Sequence, residues 1–296
     1  MANLPSVAEA QQLVLGRVQP LSAETVPVAA AAGRVLAAPG RAVTDLPPFP
    51  SSAMDGYAVR SADTPGSLPV VFRIAAGVPA SRALEAGEAM AISTGGVVPE
   101  GCDAVVPIER VVEEGNVLSV PEHVPNNTNI RGRGGDLRTG DTVVEPGSRL
   151  TPARIGALAA AGVAELHVHR RPVVAILATG TELVPPGQPL GPGQVYEANA
   201  SILAAQAAAA GCEVVRLLAV ADDEVAHRAA IERGLACDVL VTSGGVSVGP
   251  HDLVRTVEAA LGVEEVFWRV SVKPGKPVAF GVRGSTLVFG LPGNPV

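Results

Sequence analysis

The chain has 296 residues and a formal net charge of -7, with 47% hydrophobic but only 3% aromatic residues. This length is enough for two domains. No basic face is visible and no apolar run is long enough to span a bilayer, so nucleic acid and membranes are excluded as expected partners. The three cysteines form no Cys-x-x-Cys pair and the N-terminus lacks a secretory layout, so we expect a soluble, reduced, cytoplasmic protein.

The first 170 residues predict helical segments around a small β-rich module. Ser6 and Glu9 have the spacing of a capping box, which predicts a helix over residues 6–17. Thr151 and Pro152 predict the start of a second helix. Short β runs separated by Gly, Pro and Asn lie between them. We expect three segments in the N-terminal region 1–170: linker portions over about 1–50 and 145–170, and an inserted, mostly-β module over about 51–144.

Three polar stretches of this module are candidates for function. A proline-rich, rigid lead-in precedes Asp55, although Asp55 and Gly56 also form a plain turn signal, which is the safer interpretation on spacing alone. Thr94 lies in a cluster of small residues and hydroxyls. Residues 131–136 are locally basic, and they fit either a solvated loop or a loop that faces an anion.

Beyond residue 171 strands and helices alternate. This pattern predicts a three-layer α/β domain over residues 171–296 with a mainly parallel sheet. The predicted strands are residues 173–178, 214–220, 238–241, 278–281 and 286–289.

Polar loops follow several of these strands. They are residues 179–182, 221–223, 242–245 and 291–295. Since parallel strands end at one edge of a sheet, the loops should meet at a crevice there. Their hydroxyls and glycine amides suit a phosphate, and the carboxylates of Glu182, Asp222 and Asp252 suit magnesium. Neither a Walker-type loop nor a dinucleotide-binding glycine motif is present, which disfavours a conventional ATPase or dehydrogenase.

The two lysines of the chain stand three residues apart. Lys273 and Lys276 contrast with 22 − 2 = 20 arginines. An ammonium is a compact charge with three donors, so the pair fits a small anion near this turn. Chance placement on a solvated turn is the alternative.

Seven long stretches together resemble one known family. They are SSAMDGYAVR (51–60), STGGVVPEGCDAVV (93–106), RGRGGD (131–136), TGTELVPPGQPLGPGQVYEAN (179–199), SGGVSVGPHD (243–252), KPGKPVAFG (273–281) and GLPGNPV (290–296). In this order they resemble the molybdopterin molybdenumtransferase family, known as MoeA in bacteria and as the E domain of gephyrin in animals. The matching stretches cover most of the chain.

The resemblance implies the last step of molybdenum cofactor synthesis. Molybdate is inserted into adenylylated molybdopterin, and AMP is released with the help of Mg²⁺. The implied catalytic residues are Asp55, Thr94, Glu182, Asp222, Asp252 and Lys273, of which Glu182, Asp222 and Asp252 are also the expected metal ligands. The expected substrate-binding residues are Thr179, Ser243, Gly244, Gly245, Ser247, Arg269, Lys276, Pro292 and Pro295.

Partners and departures also follow from the resemblance. It implies a homodimer in which Asp55 and Thr94 act across the interface, and a substrate delivered by the preceding adenylyltransferase. Arg269 stands where a lysine is expected. Family members continue into a C-terminal β domain beyond the position of Val296, so we expect a C-terminally truncated chain.

Other functions remain open at this point. The chain fits a non-catalytic pterin-binding or scaffold module, the related molybdopterin adenylyltransferase, or a phosphosugar-binding α/β protein. The β module and the stretch 46–59 favour the molybdenum-inserting enzyme over the adenylyltransferase.

Overall fold

A computed structural model of the protein describes residues 4–220, 224–244, 253–273 and 276–293, and for residues 218–220 it describes the backbone alone. The chain forms two compact units. One consists of Met1–Glu24 and His169–Val296, and the other of Thr25–Val168. No helix in the described part of the chain has the length and apolarity that crossing a bilayer requires.

The five α-helices of the described residues are α1 (Val7–Leu15), α2 (Pro152–Ala160), α3 (Asn199–Ala209), α4 (Glu224–Gly234) and α5 (Leu253–Ala260). The two predicted helix starts are confirmed. The Ser6 hydroxyl accepts from the Glu9 amide while the Glu9 carboxylate accepts from the Ser6 amide. The Thr151 hydroxyl accepts from the Arg154 amide, and Pro152 occupies the first turn.

The strands follow in chain order. They are β1 (Ala23–Pro27), β2 (Gly40–Arg41), β3 (Ser51–Ser52), β4 (Gly56–Val59), β5 (Gly66–Ile74), β6 (Ala89–Ile92), β7 (Ala104–Pro107), β8 (Val112–Glu114), β9 (Val117–Val120), β10 (Ile130–Arg131), β11 (Thr142–Val144), β12 (Glu165–His169), β13 (Val173–Thr179), β14 (Leu183–Val184), β15 (Val195–Tyr196), β16 (Glu213–Val220), β17 (Val239–Ser243), β18 (Glu264–Trp268), β19 (Ala279–Arg283) and β20 (Thr286–Leu291).

The unit of residues 25–168 is mostly β. Its main sheet has the order β7-β4-β6-β5-β9-β8, in which β5 and β6 are parallel and the other neighbours antiparallel. Both faces of β4 are buried. Tyr57 and Val59 join one apolar cluster, and Ala58 between them joins another. A mostly-β part of the chain was expected and is present.

A separate core surrounds α2. Leu36, Val144, Leu158 and Leu166 are buried together there. Segments that precede and follow the β sheet in the sequence therefore share one apolar cluster. The limits given above for the linker portions (about 1–50 and 145–170) and for the inserted module (about 51–144) stay a prediction.

The basic loop at residues 131–136 is neutralised by acids. Arg131 forms an ion pair with Asp136, and the Arg133 Nε lies 2.7 Å from Asp45 Oδ2. The amide of Thr139, donating to Asp45 at 2.9 Å, and the Arg133 guanidinium hold the pKa of Asp45 below its usual range. This pairing favours an ordered, solvated loop over a loop that faces an anion.

The other unit contains the α/β part. Its six-stranded sheet has the order β16-β13-β17-β20-β19-β18. The first four strands are parallel, and β19 runs antiparallel to β20 and β18. Ala175 and Leu177 of β13 pack in a cluster with residues of α4 and α5, whereas Val174 and Ile176 pack with α3. Helices therefore cover both faces of β13.

Residues 1–24 pack with this α/β unit, whereas the sequence grouped them with residues 25–170. The Ser271 amide donates to the Pro5 carbonyl at 2.8 Å, and Arg17 forms an ion pair with Glu264 at 3.2 Å. These contacts bridge about 250 residues of chain, so no local pattern could have revealed them. The domain boundary near residue 171 stays a prediction.

An ion pair fixes the starts of two central strands. Both guanidinium nitrogens of Arg170 donate to the Asp238 carboxylate, at 2.6 and 2.5 Å. The Val173 amide donates to the same carboxylate at 2.8 Å, while the Asp238 amide donates to the Val173 carbonyl at 3.1 Å. The Arg170 guanidinium, followed by the Val173 amide, holds the pKa of Asp238 below its usual range.

This pairing predicts a pH-dependent stability. Because the folded pKa of Asp238 lies below its unfolded value of about 3.9, the stabilisation is complete well above that value and is lost as the pH falls through the folded pKa. Asp238→Asn should lower the free energy of unfolding by about 1–2 kcal/mol at pH 7, since the arginine is partly exposed. Denaturant unfolding at pH 7 and pH 3 checks this. An equal difference at both pH values would contradict it.

Candidate functional site

Three parallel strands end side by side and form a crevice. In the register of the sheet Ser243 lies opposite Ala178 of β13 on one side and Leu291 of β20 on the other. A cavity of about 280 Å³ lies beyond these strand ends. The described residues that line it are Thr179, Gly180, Glu182, Leu183, Asn199, His227, Ser243, Gly244, Leu253, Val254 and Gly293. The predicted meeting of the loops after these three strands is confirmed for the described residues.

Gly244 packs closely against the backbone at the end of β13. Its φ is +92°, and its amide donates to the Leu291 carbonyl at 3.1 Å. A Cβ at this position would lie 2.7 Å from the Thr179 carbonyl oxygen. The Thr179 hydroxyl also donates to the Ser243 carbonyl at 3.4 Å. Glycine is therefore required for the loops to approach one another.

Glu182 supplies the carboxylate at the mouth of the cavity. It is exposed, and its oxygens fold back over Gly180, where a Cβ would lie 2.6 Å from Oε2. Together with the hydroxyls of Thr179 and Ser243 this makes a set of hard oxygen donors, which fits Mg²⁺ better than a soft metal. Among the described residues no group of three or more His, Cys, Asp or Glu side chains could hold a metal ion.

Several expected site residues lie outside the described ranges. They are Asp222, Gly245, Ser247, Asp252 and Pro295. Two of the three expected metal ligands are among them, so the expected ligand set stays a prediction. Pro292 directly follows β20, between Leu291 and the cavity-lining Gly293.

The expected cations lie at the same edge of the sheet but do not line the cavity. Ala279, which begins β19, pairs with Gly290 near the end of β20, so the connection before it lies at this edge. Lys273 and Lys276 are exposed on that connection. The described lining of the cavity includes neither lysine.

Arg269 is held by an aromatic ring. It has a φ of +76°, its amide donates to the Val278 carbonyl at 2.9 Å, and its guanidinium carbon lies 3.9 Å from the centre of the Trp268 ring. Arg255 stacks on the same ring at 4.2 Å. Stacking of this kind is typical of guanidinium rather than ammonium, so the arginine keeps a fixed place where the family is expected to have lysine.

Asp55 and Thr94 meet within the β-rich unit. The Thr94 amide donates to Asp55 Oδ1 at 2.7 Å, and both side chains are exposed. Beside them is a second cavity of about 280 Å³, whose lining includes Asp55, Tyr57, Arg73 and Ser93. The structure therefore brings together two residues that stand 39 positions apart in the chain.

A polar network near Asp55 was not foreseen from the sequence. The Tyr57 hydroxyl donates to Glu113 Oε2 at 2.6 Å, and Arg73 forms an ion pair with the same carboxylate. The hydrogen bond from Tyr57 and the contact with Arg73 lower the pKa of Glu113. No motif marks Glu113, because its partners are 40 and 56 residues away.

Two further residues of the crevice had no functional prediction. His227 of α4 is 1% exposed and lines the cavity. The amide nitrogen of Asn199 donates to the Ser243 hydroxyl at 2.7 Å and to the Gly293 carbonyl at 2.8 Å. No sequence pattern marks His227, because its burial beside the cavity is visible only in the folded structure.

Known protein families match both halves of the chain. Residues 5–162 match the family described as the MoeA N-terminal region (domain I and II). Residues 175–296 match the family described as a probable molybdopterin binding domain.

Individual relatives span nearly the whole chain. A Mycobacterium tuberculosis protein named molybdopterin molybdenumtransferase 2 is 39% identical over 98% of this chain and 75% of its own length. A Haemophilus influenzae molybdopterin molybdenumtransferase is 39% identical over 94% of this chain and 69% of its own length. A crystal structure of the molybdopterin biosynthesis MoeA protein from Pyrococcus horikosii is 33% identical, with a TM-score of 0.82 over 99% of this chain and 75% of that one.

These likenesses extend across the mostly-β unit and the α/β unit alike, and they include the stretches that contain Asp55, Thr94, Glu182 and Ser243. The chain therefore belongs to the molybdopterin molybdenumtransferase family, the family of MoeA.

Proposed function

We propose that this protein is the enzyme that inserts molybdenum into adenylylated molybdopterin and releases AMP. The crevice at the ends of β13, β17 and β20 supports this most directly, since hydroxyl-bearing residues, glycines and a carboxylate line a cavity of about 280 Å³ there. Family membership supplies the substrate class. The match of residues 5–162 to the MoeA N-terminal region favours this activity over the preceding adenylyltransferase step.

The residues of the crevice have separate parts in the proposal. The Ser243 hydroxyl and the backbone of the glycine loop bind phosphoryl oxygens of the adenylate, and Thr179 supports them through its hydrogen bond to the Ser243 carbonyl. Glu182 holds Mg²⁺, with Asp222 and Asp252 as its proposed co-ligands. Bound Mg²⁺ would neutralise negative charge on the phosphoanhydride that is cleaved.

Cations at the same edge of the sheet complete the proposed site. Lys273, Lys276 and Arg269 offset charge on molybdate or on the departing AMP. Within the described ranges no ion pair involves any of the three, which fits a role for their charge in binding an anion. Asp55 and Thr94 are proposed to act in the same reaction.

The proposal extends to the domain organisation, the oligomeric state and the location of the enzyme. We propose an N-terminal region over residues 1–170 with an inserted β module, followed by a three-layer molybdopterin-binding domain over residues 171–296. A homodimer, a cytoplasmic location and delivery of the substrate by the preceding adenylyltransferase complete the proposal.

The test is release of AMP from adenylylated molybdopterin in the presence of molybdate and Mg²⁺. Glu182→Gln keeps the size of the side chain but removes its charge, and should lower the rate by about tenfold or more at fixed Mg²⁺. Glu232→Gln is the matched control, because Glu232 lies on α4 in an exposed i,i+4 pair with Arg228 and outside the described cavity lining.

Three results would count against the proposal. They are AMP release that does not require molybdate, a Glu182→Gln rate equal to that of Glu232→Gln, and binding of the pterin without release of AMP. The last result would identify a binding module in place of an enzyme.

A further inference from the structure

One carboxamide joins two of the loops that form the crevice. Nδ2 of Asn199 lies 2.7 Å from the Ser243 hydroxyl oxygen and 2.8 Å from the Gly293 carbonyl oxygen. A carbonyl oxygen can only accept, so the atom that faces Gly293 must be the amide nitrogen, which fixes the orientation of the carboxamide. Both protons of this nitrogen are therefore used between the loops that follow β17 and β20.

Asn199 has no capping role that would explain its position. The N-cap of α3 is Ala198, which makes no side-chain hydrogen bond to the helix. The Ala200 amide is instead satisfied by Glu197 Oε1 at 2.6 Å. Asparagine at the first helical residue is thus available for contacts outside the helix.

The loops that Asn199 joins are also packed against each other. The Gly244 amide donates to the Leu291 carbonyl at 3.1 Å, and a Cβ on Gly293 would lie 3.4 Å from the Gly244 Cα. A shift of either loop would therefore displace the other. The Asn199 carboxamide bonds to both of these segments and so links them a second time.

The contact also determines what the Ser243 hydroxyl can do. Its oxygen already accepts from Asn199, and the residue is only 3% exposed. Among the described residues no atom accepts the Ser243 hydroxyl proton. Since Ser243 lines the cavity, the proton is left to donate to a bound group there.

We propose that Asn199 is a positioning residue of the crevice. It holds Gly244 and Gly293, which follow β17 and β20, in register and directs the Ser243 hydroxyl toward an anionic oxygen of the ligand. The identity of that oxygen, a phosphoryl oxygen of the adenylylated pterin, rests on the proposed function. The positioning itself follows from the contacts of the protein alone.

Four variants test this in the transfer assay. They are Asn199→Ala, Asn199→Asp, Ser243→Ala and the double variant Asn199→Ala/Ser243→Ala. Asn199→Ala and Ser243→Ala should each raise the KM for the adenylylated substrate about tenfold, the effect of one hydrogen bond to a charged group, with a smaller change in kcat. The KM of the double variant should not exceed the larger of the two single-variant KM values, because both substitutions remove the same hydrogen bond to the ligand.

Asn199→Asp separates positioning from simple packing. The carboxylate has the shape of the carboxamide, but it cannot donate to the Gly293 carbonyl and it accepts the Ser243 proton that the ligand needs. It should therefore raise KM more than Asn199→Ala does. Gln206→Glu makes the same chemical change at an exposed position of α3 and should leave KM unchanged. If Asn199 had a purely structural role, the isosteric Asn199→Asp would raise KM less than Asn199→Ala does. The KM increases of the two single variants would then multiply in the double variant.

A measurement without substrate keeps the inference separate from the proposed function. In hydrogen exchange the Gly244 amide should exchange about tenfold faster in Asn199→Ala than in the wild type, while the Leu240 amide in the middle of β17 keeps its rate. If the wild type releases no AMP, the proposed function fails, and exchange together with titration by inorganic pyrophosphate still decides the inference. Unchanged exchange at Gly244, or additive losses of pyrophosphate affinity in the double variant, would overturn it.

Discussion

Gly244→Ala is expected to lower the rate of AMP release about a hundredfold or more. The new Cβ would push Gly244 and Thr179 apart by about an ångström, which would misplace the groups that bind the substrate. The backbone at Gly244 has a φ of +92°, which is unfavourable for alanine, and the added Cβ would lie 2.7 Å from the Thr179 carbonyl and 3.0 Å from its hydroxyl. The nearer of the two is a backbone atom, which no side-chain rotation can move away. The neighbouring Ser243 hydroxyl would be displaced with the loop.

The control for this variant isolates the close approach from the backbone strain. Gly211→Ala places alanine at an almost identical φ of +94°, where nothing lies within 4 Å of the new Cβ. Both variants should lose about 1–2 kcal/mol of stability from the left-handed backbone, but only Gly244→Ala should lose activity. Equal activity of the two variants would show that the approach of Gly244 to Thr179 is not needed for the reaction.

Gly56→Ala should destabilise the β-rich unit by about 3 kcal/mol, the upper end of the usual cost of overpacking. Gly56 begins β4 and lies opposite Pro107 of β7. A Cβ there would lie 2.1 Å from the Val106 carbonyl oxygen and 3.1 Å from the Pro107 Cα. Because all these atoms belong to the backbone of the paired strand, relief requires the strands to separate. Asp55, which directly precedes Gly56, would move with β4.

Hydrogen exchange of the β4 and β7 amides, followed through a denaturant titration, measures this effect. Fluorescence is less suitable, since the single tryptophan, Trp268, lies in the other unit. Gly115→Ala in the turn between β8 and β9 is the control, with a φ of +62° and nothing within 4 Å of the new Cβ. It should cost only about 1 kcal/mol, the strain of a left-handed alanine. Equal stability of the two variants would contradict the argument.

Local patterns predicted much of the secondary structure. The capping box of α1, the Thr151 cap of α2 and the apolar runs of β13 and β17 depend on residues within about one turn or one strand of each other. β18 was missed. Two of its five residues, Glu264 and Glu265, are exposed acids at the edge of the sheet, and an edge strand needs no continuous apolar run.

The candidate site divides in the same way. The chain order of polar loops after strands was enough to predict that Thr179, Ser243 and Gly244 would meet at one edge of a sheet. The turn signal at Asp55 and Gly56 was less informative, because the chain bends at residues 53–55 and Gly56 then enters a strand where no side chain fits.

By itself, then, the sequence determined the helix caps, the parallel strands and the family, since each depends on neighbouring residues or on long continuous stretches. Only the tertiary structure decided that Asn199 would join loops 44 and 94 residues away, that Arg133 would be neutralised by Asp45 and that residues 1–24 would pack with the α/β unit. The physical reason is range: caps and periodicity act over a few residues, whereas hydrogen bonds and ion pairs between distant segments exist only after the sheets have brought those segments together.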